Sequence, residues 1–358
     1  MRILHIAEFG ERATGIGTVV ERLFKEQILL GHETKIVSIN DNIAYHHLPI
    51  SVIKHKEEFD FFVREWQPDA VLFHSIWAMP YIGFSKILIK KRVPYGIMMH
   101  GANSKENHKK SRIKKIISNY IWFNSFLRRA ATIVYLSTQE YENCVSKDIN
   151  PNYSILPNGC DAINVDIDNK ELNKPIRIVY LGRIIMHHKG LDILLESLKR
   201  LKEDSFSKAR FFFYGNETDV DIISFKEKIC ELSELATFEG PAYNEIKDTV
   251  LKNADIFILT SRYEGMPMGV LEAISYGVPC ILTPGTNMQE EIVNSGAGWG
   301  ADFDEKSISN TIKMACAEMS NGHIRFRRAA LNLSRNYNWE VIAKKSVEIM
   351  SLISEYYK

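Results

Sequence analysis

The 358-residue sequence has no cysteines paired at metal or redox spacing, no long apolar run, almost no net charge and no short-period repeat. Its five cysteines (Cys144, Cys160, Cys230, Cys280, Cys316) fall singly, which removes the C-x-x-C zinc and thiol-redox classes and fits a reducing compartment. The longest apolar stretch, near Val71 to Phe84, is interrupted by His74 and Pro80 and falls short of a membrane span. At the start, Ile3 to Ala7 is too short for a secretory leader and Glu8 interrupts it, so a cytoplasmic protein is expected. A formal charge of +1 argues against nucleic acid as a partner. The balance hides a split, because residues 1–165 sum to +5 and the remainder to −4.

What is present is an alternation of strands and helices along the whole chain, which predicts α/β architecture in two doubly wound units. Strands are expected at 2–6, 34–39, 69–73, 95–100, 132–136 and 153–156, then at 177–181, 210–214, 236–239, 255–260 and 278–282. The polar stretch from Asn164 to Pro175 separates the two sets and reads as a linker and hinge. The expected domains are therefore 1–165 and 166–338.

The most informative segment is Thr260-Ser261-Arg262-Tyr263-Glu264-Gly265-Met266-Pro267-Met268-Gly269-Val270-Leu271-Glu272. An apolar strand precedes it and Pro267 suits a first helical turn, so Glu264 and Glu272 flank a strand-to-helix corner. Free N–H groups at a helix start attract phosphate oxygens, glycines at 265 and 269 would let a ligand approach, and carboxylates accept hydroxyl protons. A molecule with a diphosphate and vicinal hydroxyls fits, and a nucleotide sugar has both. The plainer alternative is that acidic residues favour first helical turns.

A second corner has the opposite charge. The strand Ile176 to Leu181 ends in Gly182-Arg183, and Lys189-Gly190 precedes a helix with Leu191, Leu194, Leu195, Leu198 and Leu201 on one stripe. Arg183 and Lys189 thus lie at the carboxyl end of a strand, where open α/β sheets bind ligands. Two cations there suit a diphosphate, with Arg as a fork and Lys as a point charge. Solvated loop cations are the alternative.

The ordered set Gly182-Arg183, Lys189-Gly190-Leu191-Asp192, Glu264-Gly265-Met266-Pro267, Glu272-Ala273 and Gly277-Val278-Pro279 resembles the retaining GT-B glycosyltransferases of family 4. The likeness extends to Thr14-Gly15-Ile16-Gly17 after the first strand, to His100-Gly101, to Pro157-Asn158-Gly159 and to Asn338-Trp339-Glu340. The resemblance implies two Rossmann-like domains facing across a cleft, with a last helix (339–358) returning to the first domain. It implies a nucleoside diphosphate sugar donor, with UDP favoured over GDP, and a glycan acceptor, lipid-linked, in bacterial surface polysaccharide or glycoconjugate synthesis. Donor-binding residues carried over are Gly15, Gly17, Gly182, Arg183, Lys189, Glu264, Gly265, Met266, Pro267, Met268 and Glu272. His100, Lys189, Arg183 and Glu264 are the catalytic candidates, His100 lying beside the reacting sugar. Thr14 replaces the commoner glycine, and Met266-Pro267-Met268 replaces the usual Phe-Gly, so the donor's identity does not carry over.

Three further patterns bear on function. Gly15-Ile16-Gly17 also suits a nicotinamide-dependent oxidoreductase, but Val20 stands where that fingerprint needs a third glycine. A sugar-nucleotide epimerase is the other rival. Asp-x-Asp occurs at 166/168, 219/221 and 302/304, once in the linker and twice opening helices, where acidic caps are ordinary, so no metal or other cofactor is assigned. Finally, Lys109, Lys110, Arg112, Lys114, Lys115 and Trp122 belong to a basic, aromatic-bearing segment that suits peripheral contact with anionic membrane on the cytoplasmic face.

Overall fold

The computed structural model describes residues 1–10, 14–40, 44–105 and 123–358. The basic segment's Lys109, Lys110, Arg112, Lys114, Lys115 and Trp122 lie outside them. Two compact units emerge, one of Met1–Gly159 with Trp339–Lys358 and the other of Cys160–Asn338.

In the first unit, strands Arg2–Ala7 (β1), Glu33–Ser38 (β2), Ile50–Val52 (β3), Ala70–His74 (β4), Tyr95–Met98 (β5), Thr132–Tyr135 (β6) and Tyr153–Ile155 (β7) form one sheet. Its order is β3-β2-β1-β4-β5-β6-β7, with every described pairing parallel. Helices Gly15–Leu29 (α1), Lys56–Trp66 (α2), Met79–Lys90 (α3), Asn124–Arg128 (α4) and Thr138–Asn143 (α5) connect them. Parallel strands are covered on both faces, so they need continuous apolar runs, and all five residues of β4 are buried. The order reverses between β1 and β4, the kind of switch point at which open α/β sheets bind ligands.

In the second unit, strands Ile176–Leu181 (β8), Ala209–Tyr214 (β9), Ala236–Gly240 (β10), Ile256–Leu259 (β11), Cys280–Leu282 (β12) and Gly298–Gly300 (β13) give the order β10-β9-β8-β11-β12-β13. All pairs are again parallel. The helices are Leu191–Glu203 (α6), Ile222–Cys230 (α7), Asn244–Asn253 (α8), Met268–Ser275 (α9), Gln289–Asn294 (α10) and Glu305–Ser334 (α11). Leu191, Leu194, Leu195, Leu198 and Leu201 of α6 are fully buried, as their spacing predicts. Trp339–Ser354 (α12) then belongs to the first unit, where the absent side chain of Gly96 in β5 makes room for Ile353.

Four expectations change. The three-residue strands β3 and β13 were not anticipated, and Gly298-Trp299-Gly300 has no strand pattern to read. The strand expected to run to His100 ends at Met98. The stretch 164–175 is not a free linker: Ile167 is buried, Lys170 Nζ donates to Lys252 O (2.6 Å), and Asn173 Nδ2 donates to Asp255 Oδ2 (2.8 Å). The unit boundary falls earlier, between Gly159 and Cys160.

That docking is anchored by a buried ion pair. Arg327 Nη2 of α11 meets Asp255 Oδ1 at 2.8 Å, and Asp255 Oδ2 also accepts from Arg177 N at 2.9 Å. Both side chains are almost fully inaccessible, so neither charge has water to fall back on and each depends on the other.

Candidate active site

The carboxyl ends of β8 and β11 lie side by side and carry the two predicted corners. Lys189 Nζ reaches Glu264 Oε1 at 2.5 Å, and Ser261 Oγ donates to the same oxygen at 2.6 Å. The two side chains are only 13% and 11% exposed, so this pair is a partly desolvated charge couple. Burial opposes ionisation of Glu264, but Lys189, His188 and Ser261 outweigh it and hold its carboxyl below the usual range.

The backbone that places Lys189 is over-determined. Gly190 sits at φ +63°, and a Cβ there would meet Thr260 O at 1.9 Å. Thr260 Oγ1 in turn donates to Gly190 O (3.1 Å) and Lys189 O (3.2 Å). Arg262 N donates to His188 O (3.0 Å), and the Arg262 guanidinium grips Asp192 through two bonds of 2.7 and 2.8 Å. The His188 ring stacks on Tyr263, 4.2 Å between centroids and 12° from parallel, while Nε2–H donates to Tyr263 O. Burial first, then Lys189 and Arg183, bring the His188 pKa down to about 4 against the opposing pull of Glu264 and the Tyr263 hydrogen bond.

Asp219 and Asp221 do not act as ordinary helix caps. Asp219 Oδ2 accepts from Ile184 N (2.5 Å) and Asp221 Oδ2 from Met186 N (2.6 Å), so both hold the loop between Arg183 and Lys189. Tyr180 Oη donates to Arg183 O (2.7 Å). Gly182 leaves just enough room for that hydroxyl, while its own N–H is taken by Tyr214 O. Arg183 itself is exposed and forms no ion pair among the described residues, which leaves a free cation beside a fixed one.

On the other corner, Pro267 caps α9 in extended conformation, and the first helical bonds run from Val270 N and Leu271 N to Pro267 O. The N–H groups of Met268 and Gly269 precede that ladder, and helix starts are anion-attracting. Asn287, at φ +57°, donates from Nδ2 to Glu264 O (2.6 Å) and Gly265 O (3.1 Å), fixing the turn before Met266. Gly269, expected to admit a ligand, serves packing instead, since a Cβ there would press on Phe257 and Leu181 O. Glu272 is not joined to Lys189; its Oε1 meets Lys247 Nζ of α8 at 2.7 Å.

The remaining predicted residues belong to the first unit. Thr14 caps α1, accepting at Oγ1 from Gly17 N (3.1 Å), and the ring of Tyr45 fills the space a Cβ on Gly17 would occupy. Gly17 thus has a packing reason of its own, being buried with its N–H held by Thr14, whereas Gly15 is exposed at the helix start. His100 adopts φ +51°, uncommon for a non-glycine residue and associated with functional sites. The adjoining Gly101 N–H is held by the buried carboxylate of Glu140, which also takes Leu136 N–H. A cavity of about 270 Å³, lined by Glu8, Thr14, Asn40, His74 and Trp77 among others, opens at the β1/β4 switch. Among the described residues no three His, Cys, Asp or Glu side chains gather as a metal site.

These two parallel-sheet units define an α/β protein of the GT-B class. Comparison with known families then places the chain: residues 13–163 match Glycosyltransferase Family 4 and residues 164–320 match Glycosyl transferases group 1. The chain belongs to that glycosyltransferase family. It is 25% identical over 257 residues to an uncharacterized glycosyltransferase of Methanocaldococcus jannaschii, covering 66% of this chain and 60% of that protein. It is 26% identical over 226 residues to the N,N'-diacetylbacillosaminyl-diphospho-undecaprenol alpha-1,3-N-acetylgalactosaminyltransferase of Campylobacter jejuni, covering 60% and 55%. The matches thus span little more than half the length of these curated relatives. In fold, it superposes on Anabaena HepE in complex with UDP-glucose with a TM-score of 0.76 at 14% identity, covering 98% of this chain and 99% of that one.

Proposed function

We propose that the protein transfers a sugar from a nucleoside diphosphate sugar to a glycan acceptor, with retention at the anomeric carbon and without a divalent metal. The observation that carries this reading is the Lys189–Glu264 couple at 2.5 Å between the ends of two adjacent strands. A fixed ammonium has three donors, so Lys189 can keep Glu264 and still take a phosphate oxygen. Arg183, exposed beside it, takes another in fork geometry. Glu264 and the backbone of Gly265, Met266, Pro267 and Met268 receive the sugar hydroxyls, and Glu272, steadied by Lys247, receives those of the ribose.

In the chemical step the acceptor oxygen bonds to the anomeric carbon on the face from which the sugar–phosphate bond breaks. The departing phosphate oxygen takes the acceptor's proton, and Lys189 and Arg183 stabilise the charge left on the diphosphate. His100 supports the transferred sugar. UDP as carrier is favoured by the fold likeness to HepE with UDP-glucose, and a lipid-linked acceptor by the Campylobacter relative's name. A polysaccharide or glycoconjugate pathway follows, with the protein at the cytoplasmic membrane face. Among the described residues no helix is long and apolar enough to cross a membrane. The oxidoreductase reading loses its ground with family membership.

A thermal-shift panel of nucleoside diphosphates and their sugars tests donor class directly, and UDP or its sugars should give the largest shift. With the donor so identified, Lys189→Ala should lower transfer at least ~100-fold, since losing one transition-state charge contact costs about 3 kcal/mol. Near wild-type turnover would defeat the assignment. For the membrane proposal, changing Lys109, Lys110, Lys114 and Lys115 to Glu should abolish co-sedimentation with anionic liposomes; unchanged binding would remove it.

A further inference from the structure

Beneath the carboxyl ends of β1, β4 and β5 runs a chain of hydrogen bonds that packing alone does not require. Its members are Ser346 on α12, Gln27 on α1, His5 on β1, His74 on β4 and His100 just beyond β5. Gln27 Nε2 lies 3.0 Å from Ser346 Oγ, Gln27 Oε1 2.9 Å from His5 Nε2, His5 Nδ1 2.9 Å from His74 Nε2, and His74 Nδ1 2.9 Å from His100 Nε2. Ser346, Gln27, His5 and His74 are buried, with no more than 1% exposure each.

The direction of every proton in the chain follows from one end. The Ser346 hydroxyl donates its only hydrogen to Ala343 O at 2.7 Å, so it offers Gln27 nothing but lone pairs. The amide nitrogen of Gln27 must therefore face Ser346, and its oxygen faces His5. His5 answers with Nε2–H and leaves Nδ1 bare. His74 then donates from Nε2 to that lone pair, and His100 donates from Nε2 to His74 Nδ1. Burial lowers the basicity of all three rings, which agrees with a neutral chain.

We infer that Ser346, Gln27, His5 and His74 are positioning residues that lock His100 in its Nε2–H tautomer, so that Nδ1 can only accept a hydrogen bond. His100 then selects a ligand group that donates, such as a hydroxyl, and rejects an unprotonated carboxylate at that place. Only the identity of that hydroxyl as a sugar's rests on the proposed function; the tautomer does not.

The test uses the full chain labelled with ¹⁵N-histidine and two-bond ¹H–¹⁵N correlation spectra at neutral pH, with single His→Ala variants at 5, 74 and 100 for assignment. The expected result is three neutral imidazoles, all protonated at Nε2 and bare at Nδ1. A Nδ1–H or doubly protonated ring at any of the three would overturn the inference. Ser346→Ala, a mild change within a helix, removes the group that orients Gln27, and a second, Nδ1–H set of His100 signals should appear. A single unchanged set in that variant would remove Ser346 and Gln27 as the source of the lock. Failure of nucleotide sugars to bind would leave these spectra unaffected, so the two proposals fail separately.

Discussion

At the level of single residues, the groups legible in the sequence were those whose type and local spacing announce a charge at a strand end. Lys189 and Glu264 are the clearest, and they touch. Asp219, Lys247 and Asn287 escaped because their partners lie 35, 25 and 23 positions away, and only the fold brings them together. His5, His74 and His188 escaped for the same reason, and together with His100, which the sequence did single out, they make a pH prediction. His5, with a pKa near 4, His74, His100 and His188 are all less basic folded than unfolded, mainly through burial. The unfolded chain binds more protons at these sites below about pH 6.5, so their stabilisation is full above that value and is lost as pH falls toward 4. Glu140 opposes them. Burial raises its pKa to about 7 despite two backbone N–H donors, so its contribution is present in acid and is lost as pH rises through 7. Four histidines outweigh one carboxyl, and the urea midpoint should fall steadily from pH 6.5 to 4. A flat or rising midpoint over that window would contradict the neutral chain.

At the level of elements, the strands that could be read ahead were the continuous apolar ones in the sheet interiors, such as β4 and β11. The edge strands β3 and β13 are three residues long and take their conformation from a neighbour, which leaves no local signal. The loop from Arg183 to Lys189 shows the same division. Its cations could be foreseen, whereas the acidic clamp supplied by the segment before α7 could not. That clamp makes a prediction. Replacing Asp219 and Asp221 together by Ala removes two charge-assisted bonds of 2.5 and 2.6 Å to Ile184 N and Met186 N. Those two amides should exchange with deuterium at least ~10-fold faster, since each such bond contributes roughly 1.5–3 kcal/mol. Nucleoside diphosphate affinity should weaken in step. Exchange rates unchanged at both amides would show that the loop holds itself.

For the molecule as a whole, alternation of strand and helix gave two parallel-sheet units, but the polar stretch 164–175 misled the boundary because polarity alone does not distinguish a linker from a docked segment. Asn173 is polar in order to satisfy the buried carboxylate of Asp255. At the far end of the chain, the family resemblance implied a last helix, 339–358, returning to the first domain, and Trp339–Lys358 groups with Met1–Gly159. Trp339, Ile342, Ala343, Ser346, Ile349, Met350 and Ile353 are buried on it. Trp339 packs against Gly159, and Ile353 against Gly96, each where a Cβ would be closer than 3.0 Å. Removing residues 339–358 therefore uncovers apolar surface on β4 and β5 and strands Gln27, whose amide loses Ser346. Burying each large apolar side chain contributes about 1.5–3 kcal/mol, and four such residues on this face (Trp339, Ile349, Met350 and Ile353) together exceed a low-end domain stability of about 5 kcal/mol. The truncated chain should lose the cooperative melting of its first unit while Cys160–Asn338, whose sheet and ion pair are untouched, still melts as a unit. Calorimetry that finds the first unit's transition intact in the truncated chain would mean that its sheet does not need the returning helix.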